Sequence, residues 1–304
     1  MKRIYYLLSC FAFIACENKS APQKDAAEIE EDSVTKIEFS EVEKLATDFV
    51  FTEGPATDNQ GNVYFTDIPE AKIYRWNLND ELELFKEESG GANGLFFDTD
   101  NKLFICEGYT GKITSISNQG IYEVLAESFN ENRFNQPNDV WVHPNGDVYF
   151  TDPYYGSDNS LPQNGMHVYR ISSEDLSIQQ VTEDLVKPNG LIGTPDGKTL
   201  YITDHGAEKT FVYNINENSS LSEKKQLLEV GGDGMTLDEE GNIYLTTDGK
   251  MAVEIFSTEG EMIASINFPE QPSNVTFGGK NRNELYVTAR TSIYRVKTNQ
   301  KGAY

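Results

Sequence analysis

The 304-residue sequence predicts an all-β protein, a single six-bladed β-propeller. Two observations carry this prediction: short runs rich in Val, Ile, Tyr and Phe around a turn, and the return of such a run at a regular interval. The six runs end at residues that lie 40 to 52 positions apart: Asp67, Glu107, Asp152, Asp204, Thr247 and Ala289. A period of roughly 40 to 50 residues that holds several strands is typical of a β-propeller.

Later in most periods a further strand is predicted. The runs concerned alternate apolar and polar residues, as half-buried antiparallel strands do. They read AKIYRWNL at 71–78, GKITSIS at 111–117, MHVYRIS at 166–172, KTFVYNI at 209–215 and TSIYRVK at 291–297. Six periods over residues 37–304 give about 45 residues each, which is the size of a four-stranded blade.

The two ends of this region predict how the ring closes. The first period starts with an additional strand-like run at 42–49, and the last period ends after three strands near Val296. We expect residues 42–49 to supply the outer strand of the last blade, because this pairing removes the exposed edges of an open sheet. Nothing in the sequence interrupts the period, so residues 37–304 are predicted to form one domain.

The N-terminus predicts processing and export rather than a folded element. Residues 1–16 combine a basic start with an apolar run that is too short to span a bilayer, and they end in Ala-Cys, which resembles a bacterial lipobox. We therefore expect a signal peptide, lipidation of Cys16 and a place in the cell envelope, in the periplasm or at the outer membrane, with secretion as the alternative. Residues 17–36 are acidic, lack an apolar period and predict a flexible tether.

Charge and cysteine content narrow the possible partners. The chain has 25 Lys and Arg against 49 Asp and Glu, a net charge of −24. Such a field disfavours nucleic acid and anionic membranes, so membrane contact is expected only through the lipid anchor. The acidity is compatible with cation binding, although a solvated acidic surface explains most of it. Processing leaves Cys106 as a single thiol, so no intrachain disulfide is possible, and a monomer is expected.

A polar residue stands in front of the first strand of each period. In a propeller the innermost strands line the central channel, so equivalent positions should converge there. The aligned residues are Glu53, Asn93, Asn138, Asn189, Asp233 and Asn274.

Two interpretations of these residues compete. Asn-Gly and Asp-Gly pairs can simply shape the start of a strand, because Asn, Asp and Gly tolerate positive φ. That interpretation explains Glu53 poorly, and it does not explain Asn138-Asp139, which lacks the glycine. Carboxylates packed together are unfavourable unless a cation neutralises them. Two carboxylates with amide oxygens suit one divalent ion, Ca²⁺ first, with Mg²⁺, Mn²⁺ or Zn²⁺ as alternatives.

Several motifs carry a resemblance to a known family. They are EGP at 53–55, CEG at 106–108, RFNQPNDV at 133–140, YFTDPYYG at 149–156, PNG at 188–190 and DGM at 233–235. In order and spacing over residues 42–297, they resemble the SMP-30/gluconolactonase/LRE-like family, in its bacterial branch. The resemblance implies a six-bladed propeller with one divalent ion in its channel. Carried over by motif, the ligands are Glu53, Asn138, Asn189 and Asp233, and Asp139 is expected to anchor the start of the strand.

The resemblance also implies a reaction, the hydrolysis of a sugar lactone. The ion would polarise the lactone carbonyl, and Asp233 is the candidate base that takes a proton from the attacking water. In the alternative the ion activates the water and Asp233 is only a ligand. Arg133, Gln136 and Asn138 are candidate substrate-binding residues. Gln136 occupies a position where some members have Arg, and Arg133 could equally be an ordinary surface residue, so the identity of the sugar stays open.

The sequence also allows two other functions, and it predicts roles for several further residues. The same ligand set resembles that of phosphotriester-hydrolysing propellers, and a tethered propeller could also be a non-catalytic binding platform in the envelope. The three histidines share no ligand spacing, and only His205 is expected near the channel mouth. Asp67, Asp152 and Asp204 are expected to bond backbone at blade turns, and Cys106 is expected in the core rather than as a nucleophile.

Overall fold

The repeated runs of the sequence form antiparallel sheets around a ring. The computed structural model describes residue 1, residues 36–157 and residues 160–304, so the predicted signal peptide, Cys16 and nearly all of the tether lie outside the described residues. Two compact units are distinguished, Met1–Lys36 and Ile37–Tyr304, and the strands of the described residues belong to the second. Among the described residues no helix is long and apolar enough to cross a membrane.

The strands of the first half fall into three blades and one short hairpin. The first strand, β1 (Glu43–Ala46), precedes blade 1. Blade 1 contains β2 to β5: Thr52–Thr57, Val63–Asp67, Lys72–Trp76 and Leu82–Lys86. Blade 2 contains β6 to β9: Ala92–Phe97, Leu103–Glu107, Lys112–Ile116 and Tyr122–Ala126. The hairpin contains β10 and β11: Ser128–Phe129 and Asn132–Arg133. Blade 3 contains β12 to β15: Val140–Val142, Val148–Asp152, His167–Ile171 and Ile178–Gln180.

The second half forms the three remaining blades. Blade 4 contains β16 to β19: Pro188–Gly193, Thr199–Asp204, Lys209–Asn214 and Lys225–Leu228. Blade 5 contains β20 to β23: Gly232–Leu237, Ile243–Thr247, Ala252–Phe256 and Met262–Asn267. Blade 6 contains β24 to β26: Asn274–Gly278, Glu284–Ala289 and Ser292–Lys297. Its fourth, outer strand is β1, which pairs antiparallel with β26. The predicted closure by an N-terminal strand is confirmed, with a shorter strand than the 42–49 run.

The inner strands complete the ring. Each one contacts the inner strands of the two neighbouring blades, in the order β2, β6, β12, β16, β20, β24 and back to β2. The hydrophobic core lies between adjacent blades: Trp141 of blade 3, Ile202 of blade 4 and Leu245 of blade 5 are fully buried in one cluster. The predicted six-bladed propeller is therefore confirmed, and the first residues of the inner strands meet around its axis.

Carboxylates at the end of the second strand hold the segment that leads to the inner strand. In blade 1 the two oxygens of Asp67 accept hydrogen bonds from the backbone N–H groups of Val50 and Phe51, at 3.0 and 3.1 Å. The same pair of bonds recurs at Asp152, with Asn135 and Gln136, and at Asp204, with Val186 and Lys187. The backbone role expected for these aspartates is confirmed, and it fixes where each inner strand begins.

Candidate functional site

A cavity of about 280 Å³ lies at one end of the channel, where the inner strands begin. All four residues carried over as metal ligands lie on its wall, and they come from four different blades: Glu53, Asn138, Asn189 and Asp233. Asn93 of blade 2 lies on the same wall. The remaining wall is mostly apolar or aromatic, with Phe51, Ile68, Tyr109 and Tyr155 among its side chains. Residues far apart in the chain thus meet around one space.

Glycine has a packing role beside four of these polar residues. In blades 1, 2, 4 and 5 the pairing register of the inner strand shifts where the polar residue and its glycine lie. A Cβ atom on Gly54 would stand 1.9 Å from the carbonyl oxygen of Asn93, and one on Gly190 would stand 2.3 Å from that of Asp233. The glycine therefore lets neighbouring inner strands approach, which the turn interpretation did not anticipate.

Blade 3 has an aspartate where those four blades have glycine. Asp139 is buried, and its two oxygens accept hydrogen bonds from the backbone N–H groups of Val140, at 3.0 Å, and of Leu191 in blade 4, at 3.1 Å. Burial raises the pKa of Asp139 to about 7. The expectation that Asp139 anchors the start of the strand agrees with these bonds, which tie blade 3 to blade 4 beneath the cavity wall.

The register of blade 6 corrects the sequence alignment there. Asn274 pairs with Thr288, and Val275 pairs with Val287 without a register shift. In blade 3 the equivalent pair is Val140 with Phe150. Counted back from Val275, Ser273 therefore stands where blade 3 has Asn138, and Asn274 stands at the position of Asp139 and of the glycines. The hydroxyl of Ser273 donates to the carbonyl of Thr52 at 2.7 Å. Asn274 does not lie on the cavity wall; its Nδ2 donates to Glu53 Oε2 at 3.2 Å.

Two buried carboxyl groups dominate the electrostatics of the cavity. Glu53 is 3 % exposed, and its Oε2 also accepts a hydrogen bond from the N–H of Gly54 at 2.9 Å. Burial and the neighbouring charge of Asp233 hold the pKa of Glu53 well above its usual range. Burial likewise raises the pKa of Asp233 to about 6. Two such groups held together in a poorly hydrated cavity are stabilised either by protons or by a cation.

The amide side chains of Asn138 and Asn189 can add neutral oxygen ligands to the two carboxyl groups, and this combination fits a hard divalent cation. The side chain of Asn138 makes no hydrogen bond to another described residue. Asn189 donates its Nδ2 to the hydroxyl of Tyr155 at 2.6 Å, and its side-chain amide also hydrogen-bonds the carboxyl group of Asp233. In the described part of the chain no three His, Cys, Asp or Glu side chains are grouped to hold a metal, so a cation bound by Glu53 and Asp233 would need further oxygen ligands, which the two amides can supply. Two carboxylates with amide oxygens match the preference of Ca²⁺.

Polar groups at the cavity mouth were only partly anticipated. His205 lies on the wall, and its Nδ1 is 2.9 Å from Asp248 Oδ2, a hydrogen bond that raises the pKa of His205. Its ring lies 6.3 Å from the ring of Tyr155. Sequence reasoning placed His205 near the mouth but missed Asp248 and Tyr155. The signal for Tyr155 was the longest interval, 52 residues between Asp152 and Asp204, which marks an insertion in blade 3.

The candidate substrate residues separate into two groups. Gln136 and Asn138 lie on the cavity wall, and Gln136 Oε1 accepts a hydrogen bond from the backbone N–H of Tyr155 at 2.5 Å. Arg133 is exposed on β11, outside the wall, and its Nη2 donates to the carbonyl of Tyr109 at 3.2 Å. The structure therefore brings Gln136, but not Arg133, to the space where a ligand would lie.

The comparisons with known proteins agree with this fold. The family described as "SMP-30/Gluconolactonase/LRE-like region" matches residues 51–291, most of the chain. The chain belongs to this family. A gluconolactonase of Zymomonas mobilis is 29% identical over 300 residues, covering 86% of this chain and 82% of the relative.

Two solved structures show the same fold as this family member. A gluconolactonase from Xanthomonas campestris has a TM-score of 0.78 at 22% identity and covers 84% of this chain and 89% of that one. Regucalcin from Agrobacterium tumefaciens, described as a calcium-binding protein, has a TM-score of 0.74 at 20% identity and covers 86% and 95%. The predicted family and six-bladed fold are confirmed, and the curated gluconolactonase relative supports the predicted lactone-hydrolysing enzyme.

Other residues of this SMP-30/gluconolactonase/LRE-like chain lie away from the cavity. Cys106 is fully buried, and burial raises the pKa of its thiol well above the usual range, which does not favour a nucleophile. His143 contacts the carbonyl of Gly197 at 2.9 Å, and His167 contacts Asn164 Oδ1 at 3.2 Å. These residues pack or cap strands, as expected.

Proposed function

We propose that this protein hydrolyses a sugar lactone in the channel cavity, with one divalent cation, Ca²⁺ first, held by Glu53, Asn138, Asn189 and Asp233. The observation that carries the proposal is the meeting of these residues on one wall, where two buried carboxyl groups have raised pKa values. The gluconolactonase activity named for the Zymomonas mobilis relative supports the reaction. The calcium binding named for regucalcin supports the cation.

Asp233 is the proposed base. When bound, the cation supplies Lewis-acid polarisation of the lactone carbonyl and balances the charge that develops on its oxygen. The oxygen of a water attacks the carbonyl carbon, and Asp233 takes the proton that this water releases. The ring C–O bond then breaks, and the proton passes to the leaving ring oxygen, so the product is a hydroxy acid. Phe51 and Ile68 give this space an apolar flank.

The wall of the cavity favours a neutral lactone. Gln136 and His205 offer polar contacts to hydroxyl groups, while the aromatic side chains offer flat apolar surfaces to a ring. Among the described residues that line the cavity there is no Lys or Arg. A divalent cation would be balanced by the carboxyl groups of Glu53 and Asp233, so this wall offers no further positive charge to pair with an anionic substituent. A lactone that carries a phosphate or a carboxylate should therefore be a poorer substrate than a neutral one.

Metal analysis combined with a hydrolysis assay tests the proposal. We expect the purified protein to contain about one equivalent of Ca²⁺, to hydrolyse gluconolactone, to lose this activity in EDTA and to regain it when Ca²⁺ is added. A phosphotriester tested in parallel checks the other hydrolase class. Hydrolysis that survives EDTA would contradict the cation role. Absence of turnover on every lactone tested would contradict the reaction, and it would favour a binding function.

A further inference from the structure

Tyr155 connects the insertion of blade 3 to a candidate ligand in blade 4. It lies between β13 and β14, and although the residue is 46 % exposed, its hydroxyl reaches into the cavity and accepts the hydrogen bond from Asn189 Nδ2 at 2.6 Å. The backbone of Tyr155 is fixed by Gln136, and the ammonium group of Lys187 lies 4.8 Å from the centre of its ring. Contacts with Asn189, Gln136 and Lys187 therefore fix the position of Tyr155.

The contact with Asn189 matters because this side chain is a candidate ligand. An amide coordinates a cation through its oxygen, so the side chain has to be held at one place on the wall for that oxygen to reach the cation. The hydroxyl of Tyr155 bonds the amide directly, and Asp233 is its other side-chain partner among the described residues. Because a phenol hydroxyl both donates and accepts, it can bond either end of the amide, and it therefore fixes the position of the side chain.

The segment that carries Tyr155 is itself fastened by a buried polar network. Gln163 donates its Nε2 to the backbone carbonyls of the β10–β11 hairpin: Phe129 at 3.2 Å, Asn132 at 2.8 Å and Arg133 at 3.0 Å. Asn135 donates its Nδ2 to the carbonyls of Asp152 and Gly165, at 3.0 and 2.9 Å, and so joins the two ends of the segment. These bonds give the phenol a defined place over the cavity.

We propose that Tyr155 is a positioning residue for the cation site: its hydroxyl fixes the side-chain amide of Asn189 at the cavity wall, where the amide oxygen can reach a bound cation. The inference rests on the proposed cation site and adds to it a residue outside the ligand set. Groups that orient a ligand, rather than bind the metal, commonly change metal affinity by about 10- to 100-fold when they are removed. The insertion of blade 3 is then part of the site rather than a variable surface loop.

Calorimetric titration of the metal-free protein with Ca²⁺ tests this inference. The variant Tyr155→Phe keeps the ring and removes the hydroxyl, and we expect it to bind Ca²⁺ about tenfold more weakly than the wild type. Its unfolding temperature in EDTA should change little, because the anchoring network of Gln163 and Asn135 is untouched. Tyr213→Phe is the matched control: it makes the same change in blade 4, away from the cavity, at a buried hydroxyl without a hydrogen-bond partner. This control should bind Ca²⁺ as the wild type does.

A double-mutant cycle separates positioning of Asn189 from a general loss of packing. In the Asn189→Ala background there is no amide to position, so Tyr155→Phe should cost less than about twofold in Ca²⁺ affinity there. An equal loss in both backgrounds would overturn the positioning role. If Asn189→Ala weakens Ca²⁺ binding but Tyr155→Phe does not, only this inference is wrong. If Asn189→Ala binds as tightly as the wild type, the proposed site is wrong, and the role of Tyr155 is overturned with it.

Discussion

Blades 3 and 6, three blades apart in the ring, both replace the glycine beside the channel with a polar residue, and the two replacements work in opposite ways. In each, Oδ1 accepts the N–H of the next residue: Asp139 from Val140 at 3.0 Å, and Asn274 from Val275 at 2.8 Å. The other end of the side chain reaches the next blade. Asp139 accepts from the N–H of Leu191, whereas Asn274 donates to the carboxyl group of Glu53.

The difference follows from what the next blade offers. A backbone N–H needs an acceptor, so an aspartate fits at position 139, and a buried carboxyl group needs a donor, so an asparagine fits at 274. The asparagine at 274 also avoids a further carboxylate in direct contact with Glu53. One backbone position thus serves either to tie two blades together or to support a candidate metal ligand, depending on its neighbour.

Among substitutions at this position of the inner strands, replacing a glycine by alanine should lower the free energy of unfolding the most. In Gly54→Ala the new Cβ would stand 1.9 Å from the carbonyl oxygen of Asn93 at a φ of +47°, so the inner strands of blades 1 and 2 must separate. We expect a loss of about 4 kcal/mol in the free energy of unfolding, measured by urea denaturation in EDTA. Gly120→Ala is the control: its φ is +79° and nothing lies within 4 Å of the new Cβ, so it isolates backbone strain. Equal losses in both variants would contradict a role for close packing at the axis.

The sequence alone predicted the structural features that repeat from blade to blade. The period, the closure by the strand at Glu43–Ala46 and the convergence of Glu53 with Asp233 all follow from equivalent positions in a ring. The alignment failed at Asn274 because the asparagine was matched by type. The pair Gln271-Pro272 resembles Gln136-Pro137, and matching these pairs would have placed Ser273 opposite Asn138.

Features outside the repeat could not be read in the same way. Tyr155 lies in an insertion that occurs in one blade, so no equivalent position predicted where its side chain would point. Its role depends on a contact with Asn189 between two blades, which a single sequence does not reveal. The same holds for Arg133, whose motif suggested the channel but whose position on β11 directs it to the carbonyl of Tyr109.

The substitution Asn274→Asp is expected to have the next largest effect. It replaces the donor to Glu53 by a second carboxyl group, and we expect a loss of about 3 kcal/mol in the unfolding free energy of the metal-free protein at pH 8. At pH 5 the loss should shrink, because the burial that raises the pKa of Glu53 lets the pair keep a proton between its oxygens. Urea denaturation at the two pH values measures this. A loss that is the same at both would indicate that Asn274 acts through packing alone.

The substitution Asp139→Asn should have the smallest effect, and its pH dependence should have a definite sign. The variant turns an NH₂ group toward the N–H of Leu191, which costs about 1 to 2 kcal/mol at pH 5 in the metal-free protein. Burial raises the pKa of Asp139 to about 7, so the folded protein holds this proton more tightly than the unfolded chain. The stability that Asp139 contributes is therefore present below about pH 4 and is lost as the pH rises through 7. The variant lacks this titration, so its deficit against the wild type should be smaller at pH 8 than at pH 5. A deficit that grows with pH would mean that Asp139 is stabilised as the carboxylate by Leu191 and Val140, and that the tie between blades 3 and 4 depends on its charge.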